Sequence, residues 1–558
     1  MSEPKGSRRV ALALIAVVAG AALVAGWNLF WFLTDDAFIA FRYISNAQLG
    51  LGYTWNPPPF QPVEGYTSFL WVVLLDGLWR ITGSSPPETA NLVSLFCSGL
   101  ELVVVSWILL RLSASGSLQR HRLGWLAWLL VGTLTNRTFL AWTSSGLETA
   151  LFNLLLWVWI AATIALRPHS SRWASVLTWS AMLAALARPD GWLAVIATVA
   201  LLVWSWRTRG FECAPRAWQK LSLALPLLML FAHLIWRRAT YGDWLPNTFR
   251  AKSVGPWPQG GALYLLSFVL EYSLWIWGVV VLCALWRSRR EARWSIGLCA
   301  ALAVILVHVS YYTWIVGGDH FEYRVYSAWI PGLWLTFAWA LERLQWPVRR
   351  TWCVALVGLA LSWPIPWTHW YLSQPLLSRK ETFRMKVAVA PAFPPPFRSY
   401  VEWFDQAQRW LIDRGDCRRH QEHKQFSLFF AKRFPAREQG ILIEGTDYPV
   451  IALSAVGIPA WTLPHVVILD RNGLNDRVIA NNPPPASITR AMAHDRIPPA
   501  GYIDCFKPNV QVQAGRVTIS PRQTPLTEAA IRDCESRVWS ASAQVDPSDL
   551  PTRPEDGP

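Results

Sequence analysis

The sequence predicts a polytopic α-helical membrane protein that carries an extracytoplasmic α/β domain at its C-terminus. Of its 558 residues, 53% are hydrophobic and only 16% are charged, against roughly 25% charged residues in a typical soluble domain. The first 366 residues hold 31 of the 37 Trp and a net charge of +12 out of +15. Trp and Arg placed beside apolar runs are typical of membrane interfaces and cytoplasmic loops. We therefore expect a lipid bilayer, and no nucleic acid, as the partner of this part of the chain.

Apolar runs recur along these residues, and several reach the ~20 residues that cross a bilayer. They lie at about 10–33, 66–82, 88–110, 123–142, 146–166, 173–187, 190–206, 217–236, 262–286, 295–315, 326–341 and 351–366. The first run is too long for a cleavable signal peptide, so we predict a retained helix.

Short basic clusters separate the runs, and such clusters mark cytoplasmic loops. They are Lys5/Arg8/Arg9, Arg111/Arg120/Arg122, Arg167/Arg172, Arg207/Arg209/Arg216/Lys220, Arg287/Arg289/Arg290/Arg293 and Arg343/Arg349/Arg350. Three runs lie between the first two clusters, so either 66–82 or 88–110 must be an incomplete span. The result is about eleven crossings of a bacterial inner membrane, with the N-terminus inside and the C-terminus outside.

The loops that this topology places outside are rich in ionisable and aromatic residues. These loops are 34–65, 143–145, 188–190, 237–261, 316–325 and everything after 366. Some of their acids have a purely structural alternative role. Thr34 or Asp35 could cap a short amphipathic helix, 36–48, on the membrane surface. Glu148 could favour a helix dipole, and Arg188 could simply pair with Asp190 in a turn.

Together, the outer loops have the chemistry of a glycosyl transfer site. A carboxylate can deprotonate an attacking hydroxyl group, and Arg or Lys can hold a phosphate as it gains charge. Aromatic faces suit the apolar C–H faces of sugar rings, with Trp55 and Trp244 as candidates. A phosphate leaving group needs little protonation, unlike the departing oxygen in glycoside hydrolysis. We therefore predict transfer of a sugar from a lipid phosphate.

Several of these segments match a known family in the same order along the chain. The motifs are Asp35-Asp36-Ala-Phe-Ile-Ala-Phe-Arg42-Tyr43, Trp55-Asn56-Pro57, Val63-Glu64-Gly65-Tyr66-Thr67, Ser145-Gly146-Leu147-Glu148-Thr149, Arg188-Pro189-Asp190-Gly191, Tyr241-Gly242 with Leu245-Pro246-Asn247-Thr248, Gly317-Gly318-Asp319 with Arg324, Asp470 with Gly473-Leu474-Asn475-Asp476, and His494-Asp495-Arg496. They resemble the bacterial terminal arabinofuranosyltransferase family, best known from the mycobacterial enzyme that finishes cell-wall arabinan.

The resemblance implies a GT-C glycosyltransferase with its active site at the outer membrane face. The donor would be a polyprenyl-phosphate sugar, such as decaprenyl-phosphate arabinofuranose, and the acceptor a protein or a polysaccharide. The resemblance assigns the catalytic carboxylate to Asp35 or Asp36. Candidates for the donor phosphate or neighbouring acids are Arg42, Arg250, Lys252, His320 and Arg324. Candidates for sugar hydroxyls, for orienting the cations or for shaping the substrate site are Tyr43, Trp55, Glu64, Tyr66, Glu148, Arg188, Asp190, Asn247 and Asp319.

The sequence divides into a catalytic membrane domain (1–366), a proline-marked linker (367–397), an outer α/β domain (398–540) and a disordered tail (541–558). In the outer domain we predict an amphipathic helix at 399–413, strands at 441–443 and 465–469, and a turn at 472–473. Cys417, Cys505 and Cys534 allow one disulfide in any of three pairings. No cofactor is firmly predicted; a divalent cation at the first outer loop is possible, without a defined ligand set.

Two other classes of protein compete with the enzyme. A transporter or lipid flippase would place ionisable groups near the bilayer midplane and could contain an inverted repeat, whereas the acids here are predicted at span ends. A non-enzymatic scaffold for a surface appendage would tolerate loss of the acidic pair.

Overall fold

The computed structural model describes residues 5–112, 116–208, 217–289, 294–443, 447–484 and 490–539. Arg209, Arg216, Arg290 and Arg293 of the basic clusters, and the predicted disordered tail, lie outside these residues. The membrane part is helical: α1 (Lys5–Phe30), α2 (Asp35–Gln48), α3 (Phe69–Thr82), α4 (Pro86–Arg111), α5 (Ser117–Arg120), α6 (Arg122–Leu134), α7 (Arg137–Ala141), α8 (Thr149–Ala165), α9 (Ser171–Ala187), α10 (Trp192–Thr208), α11 (Ala217–Tyr241), α12 (Asn247–Lys252), α13 (Pro258–Glu271), α14 (Leu274–Ser288), α15 (Ile296–Ser310), α16 (Ile330–Arg343), α17 (Val348–Leu361) and α18 (Pro364–Ser373).

Six of these helical stretches are long and apolar enough to cross a membrane, and the α13–α14 pair would make a seventh. They are 6–30, 86–111, 189–208, 223–241, 296–316 and 348–373. Large apolar side chains on them point outward, such as Phe96 (66% exposed), Ile196 (64%) and Leu306 (65%). Such surfaces are stable in lipid rather than in water. The helices therefore have the character of a multi-pass membrane protein, whereas the number eleven stays a prediction.

Several predicted runs form broken helices. The run 262–286 is bent by 89° between α13 and α14, because Ser273 adopts a left-handed backbone conformation at φ 50°. The run 123–142 is interrupted at Asn136, whose side chain caps α7 by accepting a hydrogen bond from Phe139 N–H. Between the two runs of which one should be incomplete, 66–82 yields the shorter helix, with 14 residues against 26.

One acid contradicts the expectation that carboxylates collect only at span ends. Glu101 lies in the middle of α4 and is fully buried. Neither of its carboxylate oxygens has a hydrogen-bond partner among the described residues. A carboxyl group in the middle of a membrane helix is costly to bury, so Glu101 is a candidate functional residue.

The C-terminal part combines short helices with two small sheets. Its elements are α19 (Arg379–Thr382), α20 (Pro395–Asp413), α21 (His420–Arg433), α22 (Arg437–Gly440), β1 (Val450–Leu453), α23 (Gly457–Thr462), β2 (Val467–Asp470), α24 (Arg477–Asn481), α25 (Tyr502–Cys505), β3 (Val510–Gln513), β4 (Arg516–Ile519) and α26 (Glu528–Ser536). β1 pairs with β2 in parallel, and β3 pairs with β4 in antiparallel orientation.

The predictions for this part succeed in three places and fail in one. The amphipathic helix is confirmed as α20, the strand at 465–469 as β2, and the turn at 472–473 by Gly473, which has φ 76°. The predicted strand at 441–443 is wrong, because these residues form a turn directly after α22. Apolar residues alone did not distinguish a strand from a turn packed on the core. The disulfide joins Cys505 to Cys534, and Cys417 is a buried free thiol.

A group of four buried charges joins the C-terminal part to the membrane helices. This buried ion cluster consists of Arg137, Glu271, Glu322 and Arg419. Arg419 forms two bonds to Glu271, at 2.8 and 3.0 Å, and contacts Glu322 at 3.1 Å. Arg137 binds Glu322 at 2.9 Å and lies 3.7 Å from Glu271. Two cations balance two anions, so the cluster is neutral and fixes residue 419 against α7 and α13.

Candidate active site

The first outer helix, α2, is enclosed by protein and does not lie on a surface. Ten of its fourteen residues are buried, and it packs against α23 of the C-terminal part. The Thr34 side chain makes no capping hydrogen bond. The interpretation of 36–48 as a surface helix is therefore wrong, because apolar residues on both sides of α2 have protein partners.

The two adjacent carboxylates at the start of α2 have different surroundings. Asp35 is 6% exposed and accepts hydrogen bonds from the N–H groups of Gly457, at 3.1 Å, and Ile458, at 2.8 Å. Burial raises the pKa of Asp35 to about 7. A Cβ at position 457 would overlap the backbone oxygen of Asp35, so glycine permits this close approach. Asp35 thus attaches α2 to the first turn of α23.

Asp36 is partly exposed and forms no hydrogen bond or ion pair with the described residues. Its charge acts on Lys252 of α12 and on Asp470 at the end of β2. Lys252 is itself exposed to solvent. Its pKa is nevertheless lowered, chiefly because surrounding protein displaces water, while the charge of Asp36 opposes this effect. Asp36 and Lys252 are therefore close enough for their opposite charges to interact, although they form no ion pair.

An ion pair of Arg324 with Asp319 lies near Lys252. Arg324 donates to both oxygens of Asp319, at 3.0 and 3.3 Å, and lies 4.3 Å from the ring centre of Phe321. Both groups act electrostatically on Lys252. The bidentate geometry fixes the guanidinium plane, so its unused N–H groups have a defined direction.

Glu148, Arg188 and Asp190 form a neighbouring network. Arg188 contacts Glu148 at 2.8 Å and Asp190 at 3.0 Å, and the hydroxyl group of Tyr312 donates to Asp190 at 3.1 Å. Arg188 also acts on Lys252. The structure therefore brings together seven of the predicted site residues, which we call the outer charge cluster: Asp36, Glu148, Arg188, Asp190, Lys252, Asp319 and Arg324.

Three predicted substrate residues of the first outer loop have their polar side-chain groups hydrogen-bonded inside the protein. Arg42 is completely buried and donates to the carbonyl oxygens of Trp55, Ala460, Leu463 and Val466. The Tyr43 hydroxyl donates to Val63 O and accepts from Gly65 N–H. Trp55 is 1% exposed and donates to Ile468 O. All three side chains are buried in this structure, so their roles as a phosphate ligand and as substrate contacts stay predictions; Trp244 is 54% exposed.

Four further candidates form their contacts with residues outside the outer charge cluster. Glu64 pairs with Arg237 at 2.6 Å, Tyr66 bonds the Tyr241 hydroxyl group at 3.1 Å, and Arg250 pairs with Asp243 at 2.7 Å. Asn247 donates to three carbonyl oxygens of residues 473–476. Asn247 and Tyr66 are buried with their polar groups bonded inside the protein, and their part in substrate binding stays a prediction. Glu64 is also buried, and burial raises its pKa to about 7.

Asp470 was noted only as part of the family motif, but it faces the candidate base. It lies at the carboxyl end of β2 and binds the N–H groups of Asn472 and Asn475 at 2.9 Å each. Burial raises its pKa to about 6, and the charge of Asp36 adds to this rise. An acid directly after a strand of a parallel pair is a recognisable signal, because ligands bind beyond the carboxyl ends of such strands.

His320 lies beside His494, which belongs to a family motif, and beside His423, which the sequence did not single out. Its ring centre is 5.3 Å from that of His423 and 4.8 Å from that of His494. We call these three residues the histidine cluster. Within the described ranges, no group of three His, Cys, Asp or Glu side chains could hold a metal ion. The possible divalent cation therefore stays a proposal without ligands.

Comparisons with known proteins add a weak structural similarity. No protein-family model and no curated protein matches the sequence. One solved structure that does match is a crystal structure of ArnT from Cupriavidus metallidurans bound to undecaprenyl phosphate. The identity is 13%, the TM-score is 0.49, and the match covers 82% of this chain and 85% of that one. At this score the similarity by itself assigns neither a fold family nor an activity.

Proposed function

We propose that the chain is a membrane glycosyltransferase of GT-C type that uses a polyprenyl-phosphate sugar, with arabinofuranose as the sugar and an extracytoplasmic glycan or protein as the acceptor. The observation that carries the proposal is the outer charge cluster. It combines an unpaired carboxylate, Asp36, with two cations, Lys252 and Arg324, whose charges interact. A free base and fixed cations are the groups that displacement of a phosphate requires.

In the proposed reaction, the Asp36 carboxylate accepts the proton of the acceptor hydroxyl group. The acceptor oxygen forms a bond to the anomeric carbon of the sugar, and the bond from that carbon to the phosphate oxygen breaks. The electron pair leaves with the polyprenyl phosphate. Lys252 and Arg324 stabilise its charge, because cations in a partly dehydrated site interact strongly with a developing anion.

Glu148, Arg188 and Asp190 have a supporting part in this proposal. Their network holds three charged side chains beside Lys252, and its acid oxygens are suited to sugar hydroxyls. The charges of Asp470 and Asp36 repel each other, which raises the cost of a further negative charge nearby. An acceptor hydroxyl, which is neutral before it loses its proton, fits between these acids.

The proposal is tested by incubating purified protein with radiolabelled polyprenyl-phosphate arabinose and candidate acceptors. We expect label in the acceptor and release of polyprenyl phosphate in equal amounts. Transfer from a hexose donor but not from arabinose would keep the class and discard arabinose. Absence of transfer from every donor and acceptor would contradict the proposal.

A transporter or lipid flippase is the second candidate, and Glu101 is the observation that favours it. A buried, unpartnered carboxyl group in the middle of a span is typical of ion-coupled movement. In vesicles loaded with fluorescent polyprenyl phosphate, a flippase would move lipid between leaflets, and Glu101→Gln would stop it. Under the glycosyltransferase proposal, the protein moves no lipid and Glu101→Gln retains transfer.

A further inference from the structure

Three histidines from separate parts of the chain meet at the edge of the outer charge cluster. His320 belongs to the loop before α16, His423 to α21, and His494 to the segment after α24. The ring of His320 lies between the other two, with centre distances of 5.3 and 4.8 Å.

Two of the ring nitrogens are buried and unused. His320 Nδ1 and His423 Nε2 have no hydrogen-bond partner among the described residues, and His423 is 6% exposed. A buried polar atom without a partner costs about 1–3 kcal/mol. A ligand that accepts or donates hydrogen bonds here would remove this cost.

The charged groups around the histidine cluster are mainly cations. Lys252 of α12 and Arg324, from the same loop as His320, act on it electrostatically. Arg418, two residues before α21, and His420, the first residue of α21, act on it as well. Two carboxylates partly balance them, since Asp319 binds Arg324 and Glu422 lies 3.7 Å from Arg418. Burial and these neighbouring cations lower the pKa values of His320 and His423 well below the usual value. Both imidazoles are therefore neutral in the empty site.

We propose that the histidine cluster binds the phosphate of a phosphate monoester, such as the lipid product of the transfer, and takes up a proton when it binds. The proposal rests on the proposed function for the identity of the ligand. A dianionic phosphate reverses the local field, so an imidazole beside it becomes easier to protonate. The proton moves from water to a ring nitrogen, and the resulting N–H donates a charge-assisted hydrogen bond to a phosphate oxygen.

This coupling has a consequence for turnover. Each product phosphate would leave together with a proton, so product release would accelerate as the pH rises. The donor is a phosphate diester with one negative charge, and it would induce less proton uptake than the monoester product. The cluster would thereby distinguish product from donor by charge.

The experiment is calorimetric titration of the full-length protein in detergent at pH 7.5, repeated in two buffers with different ionisation enthalpies. Farnesyl phosphate and inorganic phosphate are the two probes. Farnesyl phosphate is a monoester with a second pKa near 6, so it is mostly dianionic at this pH. We expect binding heats that differ between the buffers in the direction of proton uptake. Tighter binding of farnesyl phosphate would identify a lipid source, and equal affinity a free phosphate source. Binding without proton uptake, or no binding of either probe, would overturn the proposal.

Variants add an independent readout. His320→Asn and His423→Asn should weaken farnesyl phosphate binding about 10- to 100-fold, the loss expected for a hydrogen bond to a charged group, and should reduce proton uptake. His121→Asn, which alters an exposed histidine in a predicted cytoplasmic loop, should change neither quantity. Unchanged affinity and proton uptake in both cluster variants would reject the assignment. The wild-type comparison of buffers needs no substitution, and it measures binding without transfer, so it is independent of the transfer assay.

Discussion

Asp36→Asn is expected to lower the rate of sugar transfer by about 10²- to 10⁴-fold, the contribution usually made by a general base. Asp36 forms no hydrogen bond or ion pair with the described residues, so its replacement by an isosteric amide should leave folding unchanged. The amide cannot accept the proton of the acceptor hydroxyl group. The measurement is kcat for transfer, together with the thermal unfolding midpoint of the same preparation.

Asp35→Asn is the matched control, because it makes the same change one residue earlier. Asp35 accepts two backbone N–H groups from α23, and an amide oxygen can replace only part of this. We expect a loss of stability of about 1–3 kcal/mol, the cost of unsatisfied buried groups, with a kcat within tenfold of the wild type. If Asp35→Asn is folded and inactive while Asp36→Asn remains active, the two roles are reversed.

The second large effect is expected from the buried ion cluster. Arg419→Met should cost about 3–5 kcal/mol of stability, because removal of one partner leaves buried carboxylates without their countercharge. Arg419 is completely buried and contacts both Glu271 and Glu322. The measurement is chemical unfolding in detergent, followed by limited proteolysis within residues 374–400. The C-terminal part should become sensitive to protease first.

Two further variants make this prediction specific. In the double variant Arg419→Met with Glu271→Gln, the loss of stability should be smaller than the sum of the two single losses. The Glu271→Gln change removes one of the carboxylate charges that Arg419→Met leaves without a partner. Arg532→Met changes an exposed arginine whose pair with Glu528 spans 3.4 Å, and it should cost at most about 1 kcal/mol. Equal effects of Arg419→Met and Arg532→Met would contradict the structural role of the cluster.

Local patterns in the sequence predicted the helices and the grouping of outer-loop residues well. Each of the six candidate spans coincides with a predicted apolar run, whereas the eleven crossings and the two faces stay predictions. The predicted grouping of outer loops agrees with the proximity of Asp36, Arg188, Lys252 and Arg324. Both inferences depend on properties that repeat along the chain, namely hydrophobicity and the position of basic residues. The broken helix at Ser273 was missed, because a left-handed serine leaves no mark in an apolar run.

Contacts over long separations could not be predicted in this way. Asp35 finds its partners at residues 457 and 458, and Arg42 donates to carbonyl groups around α23. A motif shows that a charged residue is present, but not whether a distant backbone uses it. His423 was missed for a related reason, because a single histidine in a polar segment has no characteristic spacing. Glu101 could have been noticed, since an acid in the middle of an apolar run is a clear signal.

The attachment of Asp35 to α23 also limits how acceptor preference can be engineered. The residue beside the candidate base is held by the C-terminal part, so that part cannot be replaced by the equivalent region of a relative without moving Asp36. A chimera would alter the chemistry together with the recognition. Under the proposed function, changes confined to exposed side chains around the outer charge cluster, with α23 and its glycine retained, offer the safer way to redirect the protein to a new acceptor.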